Sequence, residues 1–402
     1  MAQRKEKFYI ILILGALATI SPFSIDMYLP GFPGIAKDLD TTIDKVQLSL
    51  TSYFIGIAVG QMMYGPLLDR FGRKNPLYVG LLIYVFASVG CAFTQSVDSL
   101  IAMRLVQALG GCVGMVAAQA LVRDLFPVNK TAQVFSLITL VIAVSPMVAP
   151  TVGGYVTAAL GWHWVFIILS GIGTVILIVC YFFLPEGKGA NPSLSLKPRA
   201  VVKNFYGVGK NPQFLIYTLA GGLATATPFA YIAGSPDVFM NIYHVSEQQY
   251  GWIFALLAGA MIGSTQFNHI LLKHFNSEQI VRATLLYQGV LGLVLVGGTL
   301  YGGWGLNSLI ALLFFFLCGQ GLIGPNSTAL SLAPFEQHAG SAAALLGAWR
   351  MGAGAFVSAL VSILHNNTAL PMVGVMASCI WIGLLLLIVG KAAVRKKAVA
   401  VG

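Results

Sequence analysis

The chain has 402 residues, of which 57% are hydrophobic and 9% are charged, and its net charge is +10. A soluble domain has about 25% charged residues, so this composition excludes a soluble protein and indicates several membrane spans. The positive charge does not indicate nucleic-acid binding, because the basic residues lie between long apolar segments.

Twelve apolar runs of about 20 residues are each long enough to cross a bilayer as a helix. A helix satisfies its backbone hydrogen bonds within the segment, so we predict an all-α membrane protein with twelve transmembrane helices. The predicted spans are residues 8–30, 46–68, 76–95, 99–122, 132–159, 163–184, 213–239, 249–272, 279–301, 306–332, 340–364 and 370–390.

The Lys and Arg residues predict the orientation of these spans. With the N-terminus in the cytoplasm, 19 of the 23 lie at cytoplasmic ends of the spans. The others are Lys37 and Lys45 on the opposite side, and Arg104 and Arg350 inside helices. This asymmetry follows the positive-inside rule and predicts that both termini are cytoplasmic.

A polar segment at 185–212 with five basic residues divides the spans into two sets of six. We predict a cytoplasmic linker there, between an N-terminal six-helix bundle at 1–184 and a C-terminal six-helix bundle at 213–402. The segments Leu67–Gly72 and Leu271–Asn276 follow the second and eighth spans and are weakly similar. Two parallel repeats around a site at the middle of the membrane would have this layout.

Asp26 lies inside the first apolar segment, in the run IDMYLPG. A carboxylate in hydrocarbon is costly, and such residues mark ion or proton pathways. We therefore predict that Asp26 binds a proton. The alternative is a shallow residue that reaches the headgroups, since Asp26 is about four residues, roughly 6 Å, from the predicted end of its helix.

The loop after the second span reads GPLLDRFGRKNPL, residues 65–77. It resembles the G-x-L-x-D-R-x-G-R-K-x-x-L signature of the major facilitator superfamily at every specified position. The resemblance implies a fold of two pseudo-symmetric six-helix bundles and a cytoplasmic gate that breaks when the halves rock. Its glycines permit a tight turn, and its aspartate has an arginine or a helix N-terminus as partner. The gate residues are Gly65, Asp69, Arg70, Gly72 and Arg73. The alternative is a basic loop that only sets topology.

The fourth span contains Arg104 and Gln107, which resemble the R-x-x-Q motif of this superfamily. A buried guanidinium needs a partner, and Asp26 lies at a comparable depth. We therefore expect Arg104 to pair with Asp26 and to take part in proton coupling. The alternative is an arginine whose head extends to the membrane surface.

The fifth span contains SPMVAPTVGG, residues 145–154, which resembles the superfamily's antiporter motif ending G-P-x-x-G-G. Ala149 replaces its first glycine. Pro146, Pro150, Gly153 and Gly154 predict a kinked, closely packed helix. In the superfamily this motif accompanies drug efflux, although any proline-containing helix shows part of the pattern.

Two segments and one further residue resemble the Bcr/CflA drug-resistance family. The segments are DMYLPGFP from Asp26 and AGSP from Ala233, and the residue is Arg350 in the eleventh span. The resemblance covers the whole chain. It implies proton-coupled efflux of lipophilic drugs or antibiotics, of the chloramphenicol or bicyclomycin kind, by alternating access. It also implies a monomer in the bacterial inner membrane, whose partners are drug, protons and lipid, with no nucleic acid. The energy source is the proton gradient and no cofactor is expected.

Two further charged residues lie in the predicted spans. Asp237 follows Pro236 near the outer end of the seventh span. It is either a second protonation or cation-recognition site or a water-exposed residue at the mouth of the cavity. Arg350 lies near the middle of the eleventh span, where it either lines the cavity in a gating polar network or donates to helix carbonyls.

Aromatic and methionine side chains predict an adaptable apolar cavity, although each also fits lipid-facing or core packing. With Arg350, the predicted cavity residues are Tyr28, Tyr53, Phe54, Tyr231, Phe254, Met261 and Trp349. The sequence contains no P-loop, no paired histidines with metal spacing and no set of nucleophile and acids, so we predict neither an enzyme nor a metal site. The alternative function is a proton-coupled symporter that imports a small nutrient.

Overall fold

The computed structural model describes residues 2–191, 207–335 and 339–401, and within them every regular element is a helix. A 3₁₀ helix at Leu29–Gly31 and a π-helix at Asp237–Ile242 interrupt the first and seventh spans. The α-helices, labelled in chain order, are α1 (Ala2–Asp26), α2 (Phe32–Asp38), α3 (Ile43–Phe71), α4 (Lys74–Ala92), α5 (Val97–Leu125), α6 (Val128–Leu160), α7 (Trp162–Phe183), α8 (Pro212–Ala224), α9 (Thr227–Pro236), α10 (Glu247–Leu271), α11 (Ser277–Leu300), α12 (Leu306–Leu332), α13 (Ala339–Ile363) and α14 (Leu370–Val401).

Within the described residues, 11 helical segments are long and apolar enough to cross a membrane. The first runs through α1, the 3₁₀ helix and α2, and the seventh runs through α8, α9 and the π-helix. The predicted eighth span corresponds to α10, a helix of 25 residues that is not among the 11. Its hydropathy is lower because Gln266, Asn268 and His269 lie in its second half.

The chain divides into two compact units. Unit 1 consists of Met1–Leu196 with Val245–Ala255, and unit 2 consists of Lys197–His244 with Leu256–Gly402. Residues 192–206 of the predicted linker lie outside the described residues, so the predicted domain boundaries remain a prediction.

In unit 1, α5 packs against α1, α3 and α4. It begins with a capping box, in which the Ser96 side chain accepts from the Ser99 backbone and Ser99 reciprocates. A Cβ at Gly110 would lie only 2.5 Å from the Tyr84 backbone nitrogen, and one at Gly114 would overlap the Leu17 carbonyl. Small residues on α5 therefore bring the backbones of α1 and α4 close to it.

In unit 2, α14 packs against α8, α9 and α11. Near the end of α14, Lys391 forms an ion pair with Glu278 at the start of α11. Tyr217 of α8 donates to the same carboxylate at 3.2 Å. Three helices of unit 2 are thus joined at one end by polar contacts.

Candidate functional site

The first helix ends at Asp26, inside the apolar segment. Pro30 has no N–H to donate to the Asp26 carbonyl, and the backbone continues there as the 3₁₀ helix Leu29–Gly31. The last carbonyls of a helix have no partner within the helix. Arg104 supplies one here, since its Nη2 donates to the Ser24 carbonyl at 3.1 Å. The guanidinium also lies at the negative end of the helix dipole, where a cation is stabilised.

Asp26 is buried, with 3% of its surface exposed. This burial contradicts a carboxylate that reaches the headgroups. Among the ion pairs of the described residues, none involves Asp26. An unpaired buried carboxylate is costly to keep ionised, so its position favours proton binding.

Arg104 does not pair with Asp26, and the expectation that it would is wrong. The guanidinium lies between the rings of Tyr28 and Tyr53, with its central carbon 4.1 Å from each ring centroid. It also donates to Gln107 Oε1 at 2.6 Å. Aromatic faces and neutral acceptors stabilise a desolvated cation without a carboxylate. Because Arg104 is fully buried, the alternative of a head at the membrane surface is also wrong.

The antiporter motif packs directly beside Asp26. Helix α6 runs without a break through Pro146 and Pro150. A Cβ on Gly153 would overlap the carbonyl oxygen of Met27, the residue after Asp26, and one on Gly154 would overlap the Glu247 carbonyl. The predicted close packing is therefore present, and Gly153 places α6 against the end of α1.

We expect Gly153→Ala to reduce both stability and transport. The added methyl group meets a backbone oxygen, which no rotamer change can move, so the end of α1 must shift. Overpacking of this kind costs about 1–3 kcal/mol. The check is the thermal unfolding temperature and transport rate of the purified protein. Gly171→Ala on α7 is the matched control, because a Cβ there meets open space; equal behaviour of the two variants would contradict the prediction.

The gate motif forms a network of ion pairs in unit 1. Gly72 has φ +81°, so a glycine is needed at this turn. Arg73 donates to Asp69 Oδ1 at 2.6 Å and to Asp124 Oδ2 at 2.7 Å. Burial lowers the pKa of Arg73, but the hydrogen bonds to the two carboxylates outweigh it, and the pKa lies above its ordinary value.

Other gate residues differ in their contacts. Gly65 lies inside α3, and a Cβ there meets open space, so the expectation that it permits a tight turn is wrong. Arg70 lies over the Phe71 ring at 5.6 Å. Asp124, at the end of α5, was not predicted as a gate residue. The Asp124 oxygen that accepts from Arg73, Oδ2, also accepts a hydrogen bond from the Lys188 backbone N–H at 2.9 Å. The network around Arg73 therefore includes the start of the segment that follows α7.

We expect Asp124→Asn to destabilise unit 1 by about 1–3 kcal/mol, because the buried Arg73 cation then faces a neutral amide instead of a carboxylate of opposite charge. Arg73 is 8% exposed and cannot replace this partner with water. The measurement is thermal unfolding, with exposed Asp98→Asn at the other end of α5 as the control. An Asp124→Asn protein as stable as the control would show that Asp69 alone holds Arg73.

Asp237 is buried, which contradicts the alternative of a water-exposed residue at the mouth of the cavity. Its side chain is 4% exposed and contacts the His365 ring, with 2.9 Å between Oδ2 and Nε2. Asn241, one turn later in the π-helix, donates to Oδ1 at 3.1 Å. His365 was not predicted, because it lies 128 residues away in the chain.

Arg350 forms hydrogen bonds with α12. Its Nη2 donates to the Gly324 carbonyl at 3.3 Å and to the hydroxyls of Ser327 and Thr328 at 3.2 and 2.8 Å. These contacts agree with the alternative of a structural hydrogen-bonding role. That Arg350 also lines the substrate cavity remains a prediction.

The other predicted cavity residues differ in exposure. Tyr28, Tyr53 and Phe54 are fully buried in unit 1. The Tyr28 and Tyr53 rings pack against the Arg104 guanidinium. Phe254 of unit 1 and Tyr231 of unit 2 are also buried, Met261 is half-buried, and Trp349 is 36% exposed. Their assignment to a substrate cavity remains a prediction.

Metal and redox chemistry find no support in the described residues. No group of three His, Cys, Asp or Glu side chains there is arranged to hold a metal ion. The five cysteines, Cys91, Cys112, Cys180, Cys318 and Cys379, are free thiols in helices.

Long apolar helices that carry buried charges, with an ion-paired turn between α3 and α4, are the features of a multi-pass membrane protein. The chain belongs to the major facilitator superfamily, whose family model matches residues 14–359, and is therefore a transporter rather than an enzyme. The predicted fold is thereby confirmed. Small-molecule substrates follow from membership of this transporter family.

Individual relatives agree with the predicted branch of the superfamily. The chain is 33% identical over 387 residues to the bicyclomycin resistance protein homolog of Haemophilus influenzae. The matched region covers 96% of each protein. It is 29% identical over 383 residues to the chloramphenicol resistance protein of Pseudomonas aeruginosa, covering 90% of this chain and 86% of that protein. The predicted resemblance to the Bcr/CflA drug-resistance family is confirmed.

A solved structure supports the fold. The crystal structure of a D-xylose-proton symporter has a TM-score of 0.74, at 14% identity, over 95% of this chain and 97% of that chain. At this identity the likeness concerns the fold alone.

Proposed function

We propose that this chain exports lipophilic drugs or antibiotics, of the chloramphenicol or bicyclomycin kind, in exchange for protons bound at Asp26. The observation that carries the proposal is the buried Asp26 carboxylate, which forms no ion pair among the described residues. The resistance proteins among its relatives support the substrate class.

The cost of burial makes Asp26 suited to coupling. In its protonated form the carboxyl is neutral and tolerates an apolar site, whereas the ionised form requires water or a cation. A conformational change that alters water access therefore changes whether the proton stays bound. The Gly153 contact of α6 lies beside Asp26, so movement of the antiporter helix acts on this position directly.

Arg104 acts in this proposal as a positioning residue. It caps the end of α1 through the Ser24 carbonyl, and two aromatic rings hold it in place. Arg104 and Asp26 form no ion pair among the described residues, so proton uptake by the Asp26 carboxylate does not have to break one.

The transport cycle follows from alternating access. In the inward-facing state a lipophilic drug enters and favours release of the Asp26 proton to the cytoplasm. The two halves then rock, the drug leaves outward, and a proton from outside returns the carrier to its starting state. The protein acts as a monomer in the bacterial inner membrane, with both termini in the cytoplasm.

The experiment is transport into energised inverted membrane vesicles, whose interior is acidic. We expect added drug to accumulate inside while protons leave, which a pH-sensitive dye reports as loss of the gradient. Vesicles without the protein are the control. Accumulation of substrate only in right-side-out vesicles, with protons moving in the same direction, would instead support the nutrient symporter.

A further inference from the structure

We propose that Asp237 and His365 form a second protonation site, in unit 2, where a proton on His365 strengthens the contact between the π-helix and the segment joining α13 to α14. This site is separate from Asp26. Its test measures stability rather than transport, so its outcome does not depend on whether the chain exports drugs.

The carboxylate of this pair is enclosed. The Asp237 side chain is 4% exposed and its two oxygens have different partners, Asn241 on Oδ1 and His365 on Oδ2. Asn241 lies on the same π-helix, and its side-chain amide does not ionise. His365 is therefore the partner through which the charge of the site can change.

The imidazole has access to solvent. Its side chain is 19% exposed, in the segment between α13 and α14, and its backbone N–H donates to the Ser362 carbonyl at 3.2 Å. One ring nitrogen, Nε2, lies 2.9 Å from Asp237 Oδ2, and the ring is only partly covered by protein. The site thus combines a buried carboxylate acceptor with a partly exposed imidazole.

Few ionisable side chains lie on the described elements that pack around this pair. Helix α9 packs against α13 and α14. Between residues 351 and 390, the only ionisable side chain besides His365 is Cys379. Arg350 precedes His365 by 15 residues, roughly 20 Å along the helix direction. On the seventh span and the turn after it, the other ionisable side chains are Tyr217, Tyr231, Tyr243 and His244.

Protonation changes the strength of the contact in a definite direction. Without the proton, a neutral imidazole donates one hydrogen bond to a carboxylate. With it, an imidazolium faces the same carboxylate, so donor and acceptor carry opposite charges and Coulomb attraction adds to the hydrogen bond. Histidine is the side chain whose charge ordinarily changes between about pH 5 and pH 8. The contact is therefore stronger in acid and weakens as the pH rises.

The test is a double-mutant cycle of Asp237→Asn and His365→Gln, measured by thermal unfolding in detergent at about pH 6 and about pH 8. We expect the two substitutions to be coupled at both pH values, with a larger coupling at the lower pH, where opposite charges face each other. Both variants keep polar side chains of similar size, so the protein can fold. His365→Arg carries a permanent charge, and its coupling to Asp237 should not change with pH.

His163→Gln is the matched control, because this exposed histidine of unit 1 stacks on Trp162 at 3.7 Å. It should show no coupling to Asp237→Asn at either pH. Equal coupling of Asp237 and His365 at the two pH values would overturn the protonation site and leave a structural hydrogen bond. Absence of coupling at both would overturn the pair itself.

Discussion

Drug-driven proton movement is expected to fall to the level of vesicles without the protein when Asp26 is replaced by asparagine. The amide resembles the protonated carboxyl in shape and polarity but cannot release a proton. Because ionisation of a group that is 3% exposed costs free energy, the variant should be at least as stable as the wild type. Loss of exchange without loss of stability is the result that identifies a coupling residue.

The measurement uses inverted vesicles at matched expression, with dye-reported proton release on drug addition and thermal unfolding of the purified protein. Asp98→Asn is the control, since Asp98 is exposed in the first turn of α5. If the Asp26 variant exchanges drug for protons normally, the proposed coupling site is wrong. Attention would then move to Asp237, with Asp26 interpreted as a structural residue.

A lysine in place of Arg104 is expected to lower stability by at least about 3 kcal/mol and to reduce transport strongly. Each desolvated contact between a guanidinium and a ring contributes about 2 kcal/mol, and hydrogen bonds to charged groups contribute about 1.5–3 kcal/mol. A compact ammonium cannot lie between two rings 4.1 Å away and also donate to both Ser24 and Gln107.

Arg123→Lys is the matched control for this prediction. It is the same substitution on the same helix, but Arg123 is exposed and its side chain donates to the Gln119 carbonyl. Thermal unfolding and transport should separate the two variants clearly. An Arg104→Lys protein with the stability and transport of the control would show that only the positive charge at this position matters.

The gate illustrates how far a motif predicts a site. Asp69 and Arg73 are four residues apart on the chain, so a pair between them is predictable from the sequence, and the structure contains it. Asp124 and the Lys188 backbone are 51 and 115 residues from Arg73. Their place in the network depends on how α5 and the segment after α7 pack against the turn, which no local pattern encodes.

The two intramembrane acids differ in the same way. Asp26 is identifiable from the sequence because it lies within a long apolar segment, and a carboxylate inside a membrane span is costly. Asp237 was predicted as a candidate, but its exposure was left open. Its burial and its histidine partner follow from packing between the seventh span and a loop more than a hundred residues later.

Composition, span lengths and the distribution of Lys and Arg were sufficient to predict a helical membrane carrier, since hydrophobic length and charge asymmetry are properties of the chain. The motifs predicted its superfamily. The partners of buried charges required the tertiary structure. Arg104 prefers the faces of two tyrosines and a helix-end carbonyl to Asp26, because a desolvated cation takes whichever acceptors the packed helices place around it.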